Sequence, residues 1–196
     1  MRAEKWKELK SYIEELRTIS VEPVLTPSGF LSITGAYYHL NNGKMIYRER
    51  IEKDNSDGSA AVVLPITESG ECILAVEPRV HTKRTVGIGF PAGYINAGEH
   101  YLDASNRELL EETGYQAEQL KYLAEFYQDE GCSAAYNYGV LATGCRKIGS
   151  QKLDEGEFIR YFLCDFEDIE ELIDKKYILG ANSQLIYEKA RRLLKK

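Results

Sequence analysis

The chain lacks any apolar run long enough to cross a bilayer as a helix, which excludes a helical membrane span and gives no reason to expect a membrane partner. It also lacks a basic stripe. Its formal net charge is −6, and its one basic cluster is the tail Lys189, Arg191, Arg192, Lys195 and Lys196. Cations in a last helical turn complement the helix dipole, so no nucleic-acid partner is expected. Cysteine is scarce and scattered. Cys72, Cys132, Cys145 and Cys164 form no C-x2-C pair and have no histidines at zinc spacing, which excludes a zinc module. Cys72 and Cys164 lie in apolar, strand-like runs and read as small buried hydrophobes. Internal repeats and low-complexity segments are absent. Residues 1–10 are charged and amphipathic rather than the apolar core of a secretion signal, so a cytoplasmic location is the expectation.

What the chain does have is the material for a core. Hydrophobic residues make up 43% of its 196 positions, enough for one domain with an elaboration. Trp6, Leu9, Ile13 and Leu16 recur at near-helical spacing and predict an amphipathic helix over 4–18. After a turn-rich stretch at 23–29, segments 30–40 and 44–51 flank Asn41-Asn42-Gly43, a strong hairpin signal. The polar run 54–58 marks a boundary between an N-terminal helix-and-hairpin extension (1–57) and a main domain (58–196). Within the latter, 60–66 and 72–76 predict a second hairpin around Glu68-Ser69-Gly70, and 80–89 reads as a loop. A helix is predicted over 101–113 with Gly114 as its C-terminal cap. Strands follow at 120–127, 136–143 and 158–164, then helices at 169–175 and 181–194. The alternation predicts an α/β sandwich.

The densest pattern is GYINAGEHYLDASNRELLEETGY, residues 93–115. Glu108, Glu111 and Glu112 stand at i, i+3 and i+4 of the predicted helix, which puts them side by side on one face. Like charges there destabilise a bare helix, and none has a Lys or Arg four residues on. The cluster therefore reads as a site for a hard divalent cation, with Leu102, Leu109 and Leu110 facing inward opposite the carboxylates. The full spacing is G-x5-E-x7-R-E-U-x-E-E-x-G-U, where U is a bulky apolar residue. Seven fixed positions would match by chance at roughly 10⁻⁸ per starting point for residues of ordinary abundance.

That spacing is the Nudix box, and the chain resembles the Nudix hydrolase family at Gly93, Glu99, Arg107, Glu108, Glu111, Glu112 and Gly114. Its last position is Tyr115, where an aliphatic residue is commoner. The resemblance implies a Nudix fold, an α/β/α sandwich with a mixed β-sheet, here carrying the N-terminal helix and β-hairpin extension. It implies Mg²⁺ or Mn²⁺ on Glu108 and Glu112, with Glu111 close by, the Ala92 carbonyl completing the site and Glu99 in or near its outer layer. Arg107 cannot be a ligand and would orient carboxylates through charge-assisted hydrogen bonds. Gly93 and Gly98 let the loop bend back so that a backbone oxygen and the helix can share a metal.

A second acidic cluster, Asp154-Glu155-Gly156-Glu157, fits a solvated turn as well as a functional loop. The sequence L-D-E-G-E-F-I resembles a loop of the ADP-ribose and nucleoside-diphosphate-sugar pyrophosphatase branch, and that likeness implies a general base or extra ligand, Glu155 first and Glu157 second. The segment Val76-Glu77-Pro78-Arg79, with Arg84 beyond it, is similar to the phosphate-approaching stretch of the same branch; taken alone, Arg79 and Arg84 fit solvated loop cations equally well. Glu130 stands where that branch carries proline, and the run Gly87-Ile88-Gly89 replaces the glutamate it often has before P-A-G. Tyr37, Tyr38 and Tyr47, with Arg48 and Arg50, fit cross-strand or core partners better than a base-stacking surface. His39, His81 and His100 read as ordinary surface histidines. The resulting expectation is a metal-dependent hydrolase of a nucleoside diphosphate linked to a second moiety, ADP-ribose or a nucleotide sugar first. It acts on a small-molecule nucleotide as a homodimer. The alternatives are a non-hydrolytic nucleotide-sensing module and a nucleoside triphosphate pyrophosphohydrolase.

Overall fold

The computed structural model describes residues 1–22, 29–53 and 56–194. Most of the predicted turn at 23–29, the Asp54-Asn55 part of the linker, and Lys195 and Lys196 lie outside them. The N-terminal part holds α1 (Ala3–Leu16), β1 (Leu31–His39) and β2 (Met45–Lys53). Next come β3 (Ala60–Thr67), β4 (Glu71–Arg79), β5 (Thr85–Gly89), β6 (Ala92–Tyr94) and α2 (Tyr101–Thr113). The remainder is β7 (Tyr115–Gln116), β8 (Gln119–Tyr127), β9 (Tyr136–Lys147), β10 (Arg160–Asp165), α3 (Asp168–Asp174) and α4 (Ala181–Leu194).

The main sheet runs β10-β4-β3-β9-β7, with β5 on β4, β6 on β3 and β8 on β9. Its centre is the parallel pair β3–β9, and the other pairings are antiparallel, so the sheet is mixed. Strands covered on both faces need apolar residues at every position. β3 and β4 meet that need with Ala61 to Leu64 and Cys72 to Val76, all buried. Successive side chains alternate between two cores. Val63, Ile73 and Leu109 of α2 form the smaller one. Val62, Leu64, Leu74 and Val76 face Leu9 of α1, Ile169 and Leu172 of α3, and Ile186 and Tyr187 of α4 in the larger. The expected α/β/α sandwich is what these layers make.

The N-terminal segment divides unequally. Leu9 is fully buried in the larger core, so α1 packs with the body. β1 and β2 instead form a sheet of their own, with every residue of β1 exposed. Tyr37 and Tyr47 stand directly opposite one another with ring centroids 5.2 Å apart, as cross-strand partners. A hydrogen bond from Ile51 N to Cys132 O (2.8 Å) ties the hairpin to the body.

Three strands arose where the sequence suggested none. β5 lies inside the predicted 80–89 loop because Gly87 and Gly89 obscure its alternation. Their missing side chains leave room for the Arg79 chain and the Ser183 hydroxyl, which a Cβ at either position would meet. β6 and β7 are three and two residues long, below the reach of any periodicity.

Gly139 of β9 offers a stability test. It pairs with Val62, and a methyl group there would overlap Ile186 Cδ1 of α4. Gly139→Ala is expected to cost about 1–3 kcal/mol by overpacking. Gly149→Ala, where nothing lies within 4 Å, should stay within about 0.5 kcal/mol of the parent. Urea-denaturation midpoints of the two variants check this, and equal midpoints would remove the close packing of α4 on β9.

Candidate active site

The site is built on α2 and the strand that precedes it. His100 caps the helix N-terminus, its Nδ1 accepting from Leu102 N at 3.3 Å, and Gly114 ends it in the left-handed conformation. Between β6 and α2 the chain folds back through Gly98 (φ 78°), with Asn96 N donating to Glu99 Oε2 at 2.9 Å. This places Glu99 beside Arg107.

Arg107 organises the acidic cluster. Its Nε and Nη2 grip Glu99 Oε1 and Oε2, both at 2.9 Å. Nη1 donates to Glu108 Oε1 at 2.6 Å and Glu111 Oε2 at 3.1 Å, while Nη2 also donates to Tyr94 O at 2.9 Å. A guanidinium has five N–H groups, and all are used. The pairing holds Glu99 below the usual carboxylate range and raises Arg107 further. It also corrects the expectation of three carboxylates gathered unrelieved on one face. Relief comes from Arg107, four residues before Glu111 and adjacent to Glu108, rather than from a cation downstream.

Glu112 turns the other way. It shares the buried face of α2 with Ser105, Leu109 and Thr113 and is only 5% exposed, so Leu109 is its neighbour and not its opposite. Its Oε2 is buried without a hydrogen-bond partner. Burial above all, then the charges of Glu77, Glu108 and Glu157, push it well above the usual range, against one hydrogen bond from the Ala92 backbone. Glu108 lies against Gly93, where a Cβ would overlap its carboxyl group. Burial raises it too, partly offset by Arg107. Glu108 and Glu112 thus converge on the Ala92-Gly93 backbone, while Glu111 stays with Arg107, its side chain 41% exposed.

Two further carboxylates complete the cluster. Glu77 on β4 is raised chiefly by burial and pairs with Arg79 Nη2 at 2.5 Å. Sequence reasoning passed over it, although a residue two positions before Arg79 on a strand shares its face. Glu157 comes from the loop before β10, and its charge acts on Glu77, Glu108 and Glu112. Gln151 holds that loop down, Nε2 donating to Glu112 O (2.6 Å) and Ile159 O (2.9 Å), while Lys152 N donates to Glu111 O at 2.8 Å. Nothing in the local sequence singles out Gln151. Glu155, ranked ahead of Glu157, is exposed at the tip of the turn and is not among the charges acting on the helix carboxylates. Gly156 (φ 93°) stands in the turn between them. Arg84 is likewise not brought to the cluster; its guanidinium lies 5.1 Å from the Tyr177 ring centre.

Among the described residues no three His, Cys, Asp or Glu side chains already stand as a coordination set. Arg107 occupies one oxygen each of Glu108 and Glu111. The donors nonetheless fit a hard cation. Oxygen ligands of a carboxylate and a nearby backbone suit Mg²⁺, and the orphaned Glu112 Oε2 is the atom such an ion would satisfy.

The NUDIX domain family model matches residues 57–182. An ADP-ribose pyrophosphatase of Bacillus subtilis (strain 168) is 30% identical over 145 residues, 74% of this chain and 76% of that protein. A methanol dehydrogenase activator of Bacillus methanolicus is 28% identical over the same shares. The ADP compounds hydrolase NudE of Escherichia coli (strain K12) is 32% identical over 54% of each chain. A crystal structure of an ADP compounds hydrolase superposes with a TM-score of 0.74 over 92% of this chain and 95% of its own; at 24% identity it shows a shared fold.

The buried carboxylates set a pH dependence. Glu77, Glu108 and Glu112 bind protons more tightly folded than unfolded, since each is raised from an ordinary 4.5. The folded cation-free protein therefore holds more protons than the unfolded chain, and stability falls as pH rises through that range. Glu112→Gln removes its share, so the variant should lose less stability than the parent between about pH 5 and 8. Urea midpoints in chelator at several pH values measure the difference; parallel curves would show that Glu112 is not under desolvation.

Proposed function

This chain belongs to the NUDIX domain family as a Nudix pyrophosphatase, and from that premise we propose that it hydrolyses the pyrophosphate linkage of a nucleoside diphosphate joined to a second moiety, ADP-ribose or a nucleotide sugar first, in a divalent-cation-dependent reaction. The observation that carries the proposal is the buried, unpartnered oxygen of Glu112 beside Glu108 at the Ala92-Gly93 backbone. The names of the B. subtilis and E. coli relatives favour ADP-linked substrates.

Glu108, Glu112 and the Ala92 carbonyl would hold Mg²⁺ or Mn²⁺, with Glu111 at the margin. When bound, such an ion neutralises diphosphate oxygens and acidifies water. The protein's own groups do the rest. Arg107 keeps Glu99, Glu108 and Glu111 in fixed orientation. Arg79, its guanidinium half-exposed and steadied by Glu77, binds a substrate phosphate. Glu157 takes the proton of the attacking water, since its charge reaches Glu108 and Glu112 from the loop before β10. Catalysis comes mainly from this positioning and from charges aimed at the phosphates.

We also propose a homodimer built through the β1–β2 extension, where Ile33 is 71% and Tyr37 65% exposed. No described helix is long and apolar enough to cross a membrane, and a cytoplasmic location remains the proposal.

Glu157→Gln is expected to lower kcat by about 10²–10⁴-fold with KM nearly unchanged, the range for loss of a general base. Glu155→Gln should stay within about twofold, since Glu155 is not among the charges acting on the helix carboxylates. Both are read on ADP-ribose and nucleotide sugars, with coenzyme A and nucleoside triphosphates as comparison substrates. A larger loss from Glu155→Gln would exchange the two roles, and preferential triphosphate cleavage would replace the substrate class. For the dimer, light scattering at micromolar concentration should give twice the 22.3 kDa chain mass; a monomer there ends that proposal.

A further inference from the structure

A shallow groove of about 360 Å³ lies between α1 and the turn that follows α3, lined by Ala3, Trp6, Lys10, Lys175 and Tyr177. The catalysis proposed above makes no use of it. Its walls are two aromatic rings meeting at an angle, Trp6 and Tyr177, with centroids 5.0 Å apart and planes inclined by 57°. Each ring already holds a cation. Lys175 Nζ lies 4.9 Å from the Trp6 centroid and the Arg84 guanidinium 5.1 Å from that of Tyr177. Lys10 stands one helical turn after Trp6, on the same face.

The corner is held in shape by the backbone. Lys176 adopts a left-handed conformation (φ 61°), and Tyr177 N donates back to Leu172 O at 2.7 Å. This reverses the chain so that Lys175 and Tyr177 both face α1. Lys175 pairs with Glu171 at 2.6 Å, and Glu171 also pairs with the Met1 ammonium, which Asp168 shares. Lys10 and Lys175 line the groove and Arg84 lies on Tyr177 beside it, so the lining itself carries more positive than negative charge on a protein whose net charge is −6. Cation–π contacts of this kind are weak, so these cations can turn to a stronger anionic partner.

We propose that this corner is a second nucleotide site, separate from the carboxylate cluster. It takes a nucleoside mono- or diphosphate, with the base against Trp6 and Tyr177 and the phosphates on Lys10, Lys175 and Arg84. The groove is open to solvent and would hold one face of the base without enclosing it. Aromatic faces alone would select any flat apolar molecule, and cations alone any anion. The combination selects a base carrying phosphate.

Trp6 is the only tryptophan in the chain, so it reports on the groove directly. ADP titrated into the full-length protein in chelator, with indole emission followed, should give a saturable quench. Adenosine and inorganic pyrophosphate should each bind at least about tenfold more weakly, since each supplies half of the recognition. Lys10→Glu with Lys175→Glu should weaken the ADP quench by a similar factor or more. Lys10→Glu alone, on an exposed helical position, serves if the double variant is unstable. A quench that never saturates, one that survives the charge reversals, or pyrophosphate binding as tight as ADP would each overturn the proposal. Arg79→Ala should leave the quench unchanged; its loss there would assign the signal to the catalytic cluster instead.

Discussion

A carboxylate held out of water is the constraint on which the rest of this molecule turns. Removing an ion such as Glu112 from solvent costs several kcal/mol unless something matches its charge. The helix cannot rotate to release it, because Ser105, Leu109 and Thr113 on the same face are themselves buried against the sheet. Nor can the carboxyl group withdraw toward the backbone, where Ala92 already donates one hydrogen bond and leaves Oε2 bare. The fold therefore fixes a position that only a proton or a cation completes. A module meant merely to bind a nucleotide would gain stability by placing an apolar residue there.

Arg107 solves the complementary problem on the outer side of α2. Glu99, Glu108 and Glu111 would repel one another, and a single planar cation serves all three while also closing the loop through Tyr94 O. A lysine offers three donors from one point and could not span that set. The division of labour explains why the cluster is asymmetric. Glu99 is ionised and structural, Glu112 is desolvated and unpaired, and Glu108 is shared between Arg107 and Gly93. The loop carrying Glu157 is brought into the same field by Gln151, whose amide bridges the end of α2 to Ile159.

Much of this was legible in the sequence, and the limits have physical causes. The bounds of α2 and α4 came out as predicted because apolar periodicity and, for α2, a capping glycine agree there. The mixed sheet was implied by the resemblance to the Nudix family and not by strand patterning, and the pairings agree with it. Strand β5 was not foreseen, since its glycines make room for Arg79 and Ser183, a tertiary reason that leaves no local trace. The box glutamates were identifiable by spacing, but spacing alone put all three on one cation. Arg107 was expected to orient carboxylates, but spacing could not show that it takes Glu99, Glu108 and Glu111 and leaves Glu112. Glu77 and Glu157 belong to the cluster only through strand pairing and a loop anchor, both long-range. Which of Glu155 and Glu157 has its charge felt at the helix carboxylates depends on the turn at Gly156, which sequence reading recognised without orienting it.

The hairpin and the site meet at one residue. An isolated two-stranded sheet is marginal in water, and β1–β2 presents both faces to solvent. Its foot is secured on Tyr94, with Phe30 at 6.3 Å between ring centroids and Lys53 Nζ at 5.7 Å from the same ring. Tyr94 in turn offers its carbonyl to Arg107. Whatever covers the hairpin therefore bears on the residue that braces Glu99, Glu108 and Glu111. A second copy of the chain would supply apolar cover for Ile33 and Tyr37 and steady Tyr94 in the same step. In a dimer built as proposed through β1–β2, assembly would reach the acidic cluster through the Tyr94 ring and its backbone oxygen.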